Sequence, residues 1–425
     1  MIQRIAMLSV HTCPLATLGG KETGGMNVYV RELTRELSTR GLAVDVFTRS
    51  QDPTVPMVSS GGGALGPHGR VIHVPAGPQR PYDKNAIYDH LPEFVRGVEA
   101  FAVREGIHYD LIHSHYWLSG LAARDLRSSW GVPIVQMFHT LGELKNRVAQ
   151  SPAEMEGGRR IACEGEIMRF ADRVVAATSL ERDQMAELYG ADPAHIAVVP
   201  PGVDLQRFRP FPCEQARASI GVPPDQQVVL FVGRIQPIKG IDTLIRAMSI
   251  VFDREPQLRH HVVLSIIGGD PDADQDRDES ELARLQALRA QLGIGDLVTF
   301  LGSKDQDMLP CYYSAASMVV VPSHYESFGM VALEAMACGC PVIASDVGGL
   351  SFSVADGFNG YLVPNGDPEA LAYKLTLLLK YESLRRQLGE QARRWVERYR
   401  WANIANEILE VYEEVLAGQT VACPA

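Results

Sequence analysis

Short β-rich apolar runs alternate with amphipathic helical stretches along nearly the whole chain, and the alternation runs through twice. In the first half the strand candidates are Ile5–Val10, Val44–Thr48, Arg70–Pro75, Leu111–His115, Pro133–His139, Val174–Thr178 and Ile196–Val199. Helical patterns lie between them at Met26–Thr39, Leu91–Arg104, Glu154–Phe170 and Leu180–Leu188. The second half has strand candidates at Val228–Gly233, Val262–Ile267, Val298–Leu301, Met318–Val321, Val342–Ala344 and Tyr361–Val363. Its helices are expected at Gly240–Phe252, Glu279–Leu292, Met330–Ala337 and Pro368–Lys380. Strands separated by helices pair in parallel through crossovers, so each half reads as a doubly wound α/β domain. A length of 425 residues suits two such cores rather than one.

The prolines and glycine between Pro200 and Pro210 block both helix and sheet, which places the boundary there. The expected domains are 1–204 and 205–399. A last helical pattern, Gln387–Leu416 with a break near Tyr399–Trp401, is expected to cross back onto the first domain over about 400–418. The tail Ala417–Ala425 is expected to fray.

Composition removes several classes. Lys plus Arg is 40 against 51 Asp plus Glu, a net charge of −11 with no basic block, which argues against general nucleic-acid binding. The seven cysteines are scattered without a CxxC pair, as expected of reduced thiols in a cytoplasmic protein. The chain opens directly on an apolar strand, so no signal peptide is expected. No run approaches the roughly 18 apolar residues that span a bilayer, so no integral membrane segment is expected. No metal is expected either. The acidic run Asp270–Glu279, counted as a calcium loop from Asp272, has Arg277 where glycine is needed and Ala283 where the final glutamate is needed. It reads instead as acid feeding the N-terminus of the next helix. Cys338-Gly-Cys340 lacks further ligands at metal spacing.

Three motifs carry chemistry. After the first strand, Gly24 and Gly25 immediately precede a helix, where bare backbone amides and the helix end favour an anion. Neither half shows the dinucleotide G-x-G-x-x-G pattern, which argues against a dehydrogenase, and no P-loop follows. In the second half a strand ends at Gly233, and Arg234 and Lys239 follow before the next helix. Two cations at a strand's carboxyl end are suited to stabilise a leaving diphosphate without a metal. The third motif is Glu326-Ser327-Phe328-Gly329-Met330, with Glu334 eight residues after Glu326. It puts one carboxylate in a loop and the other inside a helix, with amides near Gly329 at the helix N-terminus.

Gly-Arg-x4-Lys-Gly, Glu-Ser-Phe-Gly-x4-Glu and the run Pro341–Gly349 together resemble glycosyltransferase family 4, over nearly the whole chain. The resemblance implies a GT-B fold, two Rossmann-like domains with a cleft between them. It also implies retention of anomeric configuration and a nucleotide diphosphate sugar bound by the second domain, with no cofactor required. It assigns diphosphate contact to Arg234 and Lys239, donor-sugar contact to Glu326, ribose contact to Glu334, and a place beside the transferred sugar to His139. Gly24, Gly25, Gly233, Ser327, Phe328, Gly329 and Met330 complete the donor set.

Within that family, Gly24–Val30, His113–Gly120 and His139–Asn146 are similar to the inositol-phosphate glycosyltransferases. Arg159-Arg160-Ile161 and Thr178–Arg182 are equally similar to the sucrose-phosphate synthases. Both imply a phosphorylated polyhydroxy acceptor, inositol phosphate or fructose 6-phosphate, and a hexosyl donor such as UDP-glucose. The matching phosphate contacts are Lys84, Tyr116, Thr140 and one of Arg159 or Arg160, with Lys145 a further candidate and Asn27 on acceptor hydroxyls. A front-face displacement, with a donor phosphate oxygen taking the acceptor proton, fits the lack of an obvious side-chain base. The rivals are a lipid-linked or cell-wall acceptor, a nucleotide-sugar epimerase and a non-catalytic nucleotide-sugar-binding protein. The expected assembly is a monomer or homodimer.

Overall fold

The computed structural model describes residues 2–17, 23–149, 151–269 and 278–421. The loop glycines Gly19 and Gly20, the acidic residues Asp270–Asp276 and the end of the tail lie outside the described residues.

The first sheet contains β1 (Arg4–Leu8), β2 (Ala43–Arg49), β3 (Val58–Ser59), β4 (Gly69–Val74), β5 (Leu111–His115), β6 (Ile134–Met137), β7 (Arg173–Ala176) and β8 (Ile196–Val198). Their order is β3-β4-β2-β1-β5-β6-β7-β8. Every pairing is parallel except β3 with β4, the short antiparallel edge. The second sheet contains β9 (Gln227–Val232), β10 (Val262–Ile267), β11 (Val298–Phe300), β12 (Met318–Val321), β13 (Val342–Ser345) and β14 (Gly360–Val363). It is wholly parallel in the order β11-β10-β9-β12-β13-β14. Helices cover both faces, so central strands such as β6 and β12 are buried at every position. This is the doubly wound, two-sheet arrangement of the GT-B fold.

In each sheet the strand order reverses at one place, between β1 and β5 in the first and between β9 and β12 in the second. Loops leaving the carboxyl ends at such a point diverge and leave a crevice. The chemistry-bearing motifs sit there: the Gly24–Gly25 loop after β1, Tyr116 after β5, Arg234 and Lys239 after β9, and Glu326 after β12.

Three helical expectations shift. The helix expected over Glu154–Phe170 runs Gly158–Phe170, because Gly157 is extended and Pro152–Glu154 forms a separate 3-10 turn. The last pattern begins earlier, as Glu382–Trp395, and after a 3-10 turn at Val396–Tyr399 a second helix, Trp401–Val421, follows. Helix geometry therefore extends into the stretch expected to fray. The helices Trp117–Trp130, Cys213–Ile220 and Leu309–Ala315 were not anticipated.

The helix Trp401–Val421 does return to the first domain. It packs on the helix Gly25–Thr39, and Tyr412 hydrogen-bonds His113 of β5 at 2.7 Å. Its entry is fixed where the chain passes between the sheets. Val203 donates to the Tyr399 carbonyl at 2.7 Å, and a Cβ on Gly202 would lie 2.6 Å from the Trp401 ring. Apolar packing is continuous from the first sheet through Val203, Phe208 and Trp401 to the second. Among the described residues no helix is long and apolar enough to cross a membrane.

Candidate active site

A cleft between the two sheets encloses about 460 Å³. Of the residues expected at a site, it is lined by Gly24, Gly25, Asn27, Lys84, Tyr116, His139, Thr140, Lys145, Arg160, Gly233, Arg234, Lys239, Glu326, Ser327, Phe328, Gly329, Met330 and Glu334. Arg159 is not among them. It is exposed, with its guanidinium 4.8 Å from the Tyr88 ring, whereas Arg160 points inward. One helical step separates the two faces of the helix, so the choice between these arginines falls on Arg160.

On the second-domain wall, Lys239 Nζ lies 2.5 Å from Glu326 Oε2, and Ser323 Oγ approaches the same oxygen at 3.4 Å. Gly349 N–H donates to the Glu326 carbonyl at 3.0 Å. The neighbouring Gly348, at φ +50°, leaves no room for a side chain, since a Cβ would stand 1.9 Å from that carbonyl. Gly329, at φ +89°, precedes the helix Met330–Ala337, which has no side-chain cap at its N-terminus. Its first amides are left to water or a ligand. One turn further, Glu334 is buried and accepts from the Tyr313 hydroxyl at 2.8 Å. Burial pushes its carboxyl up to about 7, against the pull of Tyr313, Arg207 and Arg31.

The first-domain wall approaches closely. A Cβ on Gly25 would meet Met330 Sδ at 3.4 Å, and one on Gly24 would lie 4.0 Å from Arg234 Nε. Neither glycine adopts positive φ, so a requirement for positive φ does not explain them. Asn27 shapes this loop rather than reaching into open space. Its amide donates to Thr12 Oγ1 and the Cys13 carbonyl, both at 2.7 Å, and its oxygen accepts from Gly24 N–H at 2.9 Å. That engagement leaves little of the side chain for the hydroxyl contact implied for it.

A cation cluster stands on the first-domain wall. Arg160 is 2% exposed and donates to Glu164 at 2.7 Å, to Glu156 at 2.8 Å, and to the Thr140 carbonyl at 2.8 Å. Its guanidinium lies 4.8 Å from the Tyr116 ring. Lys145 also pairs with Glu156. Burial opposes the charge on Glu156, yet Arg160 and Lys145 draw its pKa down to about 2. Lys84 stands on the same wall, so three cations face the cleft there.

Tyr116 and His139 are the non-glycine residues at positive φ among those described, at 74° and 62°. Such conformations carry strain of about 1–3 kcal/mol and gather at functional sites. His139 lines the cleft. Its Nε2 lies 3.0 Å from His115 Nδ1, and burial pushes its imidazole down to about 3, so it is neutral.

The cleft also contains residues not anticipated. Glu181 N–H donates to the Thr178 hydroxyl at 3.0 Å, its carboxylate accepts from Ala177 N–H at 2.6 Å, and burial raises that carboxyl to about 7. Gln306 accepts from Arg31 at 2.6 Å and from Arg207 at 2.7 Å, joining the helix Gly25–Thr39 to the second domain. The Thr178-x-x-Glu181 spacing was a readable signal. Gln306 offered none, because its partners lie 275 and 99 residues away.

Residues 23–207 match the family described as Glycosyltransferase Family 4, and residues 213–395 match Glycosyl transferases group 1. D-inositol 3-phosphate glycosyltransferase 2 of Catenulispora acidiphila is 42% identical over 96% of this chain and 94% of its own length. D-inositol 3-phosphate glycosyltransferase of Acidothermus cellulolyticus is 43% identical over 99% of this chain and 92% of its own. Among solved structures, sucrose-phosphate synthase from Thermosynechococcus elongatus has a TM-score of 0.88 and 37% identity, covering 98% of this chain and all of that one. Anabaena HepE in complex with UDP-glucose shares the fold at a TM-score of 0.74 and 20% identity, covering 97% of this chain and 99% of that one.

Proposed function

We propose a donor, an acceptor and a stereochemical course for this chain, which belongs to the glycosyltransferase family of the D-inositol 3-phosphate glycosyltransferases. It transfers a hexosyl group from a nucleotide diphosphate sugar of the UDP-glucose type to a phosphorylated polyol or sugar. The observation that carries this reading is the facing of two cation groups across one cleft. Arg234, Lys239 and Glu326 line the second-domain wall, and Lys84, Lys145, Arg160 and His139 line the first-domain wall. A diphosphate on the first group and a phosphate on the second bring the anomeric carbon and an acceptor hydroxyl together between them.

In this reading Arg234, Lys239 and the amides after Gly329 stabilise the charge that develops on the departing diphosphate, and no metal cofactor is required. Glu334 accepts from ribose hydroxyls. The acceptor hydroxyl attacks from the face on which the diphosphate leaves and gives its proton to a diphosphate oxygen, so configuration is retained. Inositol phosphate is supported by the names of the curated relatives and fructose 6-phosphate by the sucrose-phosphate synthase likeness. Nucleotide release from UDP-glucose, ADP-glucose and UDP-N-acetylglucosamine, each with inositol 3-phosphate or fructose 6-phosphate, tests the reading. Release that requires a phosphorylated acceptor supports it. Donor turnover without acceptor points to an epimerase, and UDP binding without any turnover to a non-catalytic protein.

A further inference from the structure

His139 does not stand alone behind the cleft. β5 carries His113 and His115, which point to the same side of the strand, and their rings pack at 4.2 Å. His113 Nδ1 is 2.7 Å from the Tyr412 hydroxyl, and His115 Nδ1 is 3.0 Å from His139 Nε2. The Tyr29 ring closes the group, 5.1 Å from His139, 5.6 Å from His115 and 5.3 Å from Trp401. Tyr412 and Trp401 belong to the helix that returns from the second domain.

In a bond between two neutral imidazoles one nitrogen carries the proton and the other does not, and the burial of each ring selects which. His115 Nε2 is buried with no hydrogen-bond partner among the described residues. A bare nitrogen there costs less than a stranded N–H. The His115 proton therefore sits on Nδ1 and is donated to His139 Nε2. His139 then carries its own proton on Nδ1, the nitrogen left for the cleft.

We propose that His115 is a positioning residue that fixes the tautomer and orientation of the His139 imidazole, so that His139 presents an Nδ1–H donor to the sugar being transferred. The sugar contact rests on the function proposed above; the tautomer does not. Its purpose is chemical: a neutral N–H donor steadies a sugar oxygen without competing for the acceptor's proton.

Proton-coupled nitrogen NMR on the histidine-labelled full chain reads the tautomer directly, without substrate. The expected wild-type result is His139 protonated on Nδ1. In His115→Leu that resonance is lost or split between tautomers, while the KM for donor stays within about threefold and kcat falls about 10- to 100-fold. His115→Asn places an amide donor near the position of the lost Nδ1–H and restores most of both. Wild-type His139 protonated on Nε2 overturns the proposal, as does His115→Leu with an unaltered spectrum and kcat. The wild-type spectrum and His115→Asn decide the matter even if His115→Leu fails to fold. Transfer at the wild-type rate by His139→Ala removes the sugar contact and leaves the tautomer to the spectrum alone.

Discussion

Lys239 Nζ and Glu326 Oε2 stand 2.5 Å apart, so the cation expected to meet the diphosphate and the carboxylate expected to meet the sugar are each other's partner in the cleft. Both side chains remain nearly a fifth exposed, 18% and 19%, and so are reachable by a ligand. On the proposed function, a bound diphosphate would share Lys239 and leave Glu326 an acceptor lone pair for a sugar hydroxyl. Lys239→Ala and Arg234→Ala are each expected to lower kcat/KM for the donor about 100- to 1000-fold, as removal of a donor aimed at developing charge does. Nucleotide release under limiting donor measures this. Unchanged turnover in Arg234→Ala would show that the donor lies elsewhere.

Glu334 gives a pH signature. Its folded pKa of about 7 lies above the 4.5 of an unperturbed glutamate, so the folded state binds the extra proton between those values. Its contribution to stability is present in full below about 4.5 and is lost as the pH rises through about 7, amounting to about 3 kcal/mol. Glu334→Gln should match the wild type in urea unfolding near pH 5 and exceed it near pH 8. Ribose hydroxyls need the ionised form as acceptor, so UDP should bind the wild type more tightly as the pH rises through 7. Titration calorimetry of the variant should lose that trend.

At the acceptor end, two cations should behave differently. Arg160 is the buried partner of Glu164 and, with Lys145, of Glu156, so Arg160→Met leaves the buried Glu164 without its cation and costs about 3–5 kcal/mol of stability. Lys84 is only partly buried, and Lys84→Ala should leave the melting temperature nearly unchanged. It should raise the KM of a phosphorylated acceptor about 10- to 100-fold, the loss of one charge-assisted hydrogen bond. The same acceptor stripped of its phosphate should show no difference between Lys84→Ala and wild type. A difference there would mean that Lys84 does not meet the phosphate.

Gly348 tests the support behind Glu326. Gly348→Ala adds strain at φ +50° and drives a methyl into the Glu326 carbonyl. The loop must shift, and the carboxylate with it. A loss of kcat well beyond the modest fall in melting temperature is expected, with acceptor binding preserved.

The second-domain wall of the cleft was readable in the sequence because Arg234, Lys239, Glu326 and Glu334 fall in two compact motifs, each directly after a strand. The strands themselves were readable to within a residue or two where both faces are buried, as for Met318–Val321. The two-residue β3 was too short to announce itself. The choice between Arg159 and Arg160 has its own signal in the sequence: Glu156, Arg160 and Glu164 recur at four-residue spacing, the mark of one paired face. The loop bonds of Asn27 were not legible because its partners, Thr12 and Cys13, lie across a loop whose path no local rule dictates. His115 was hidden in an apolar strand, where a polar His-Ser-His run was itself the signal.

The helix Trp401–Val421 gives the first lobe a discontinuous origin: its scaffold is assembled from two separate stretches of the polypeptide, with the other lobe synthesised in between. An emerging ribosomal product therefore cannot complete the first lobe until the second has been made. Swapping that lobe between relatives to change what receives the sugar calls for two segments exchanged together. A graft of the first 204 residues alone would confront a foreign Tyr412 and Trp401.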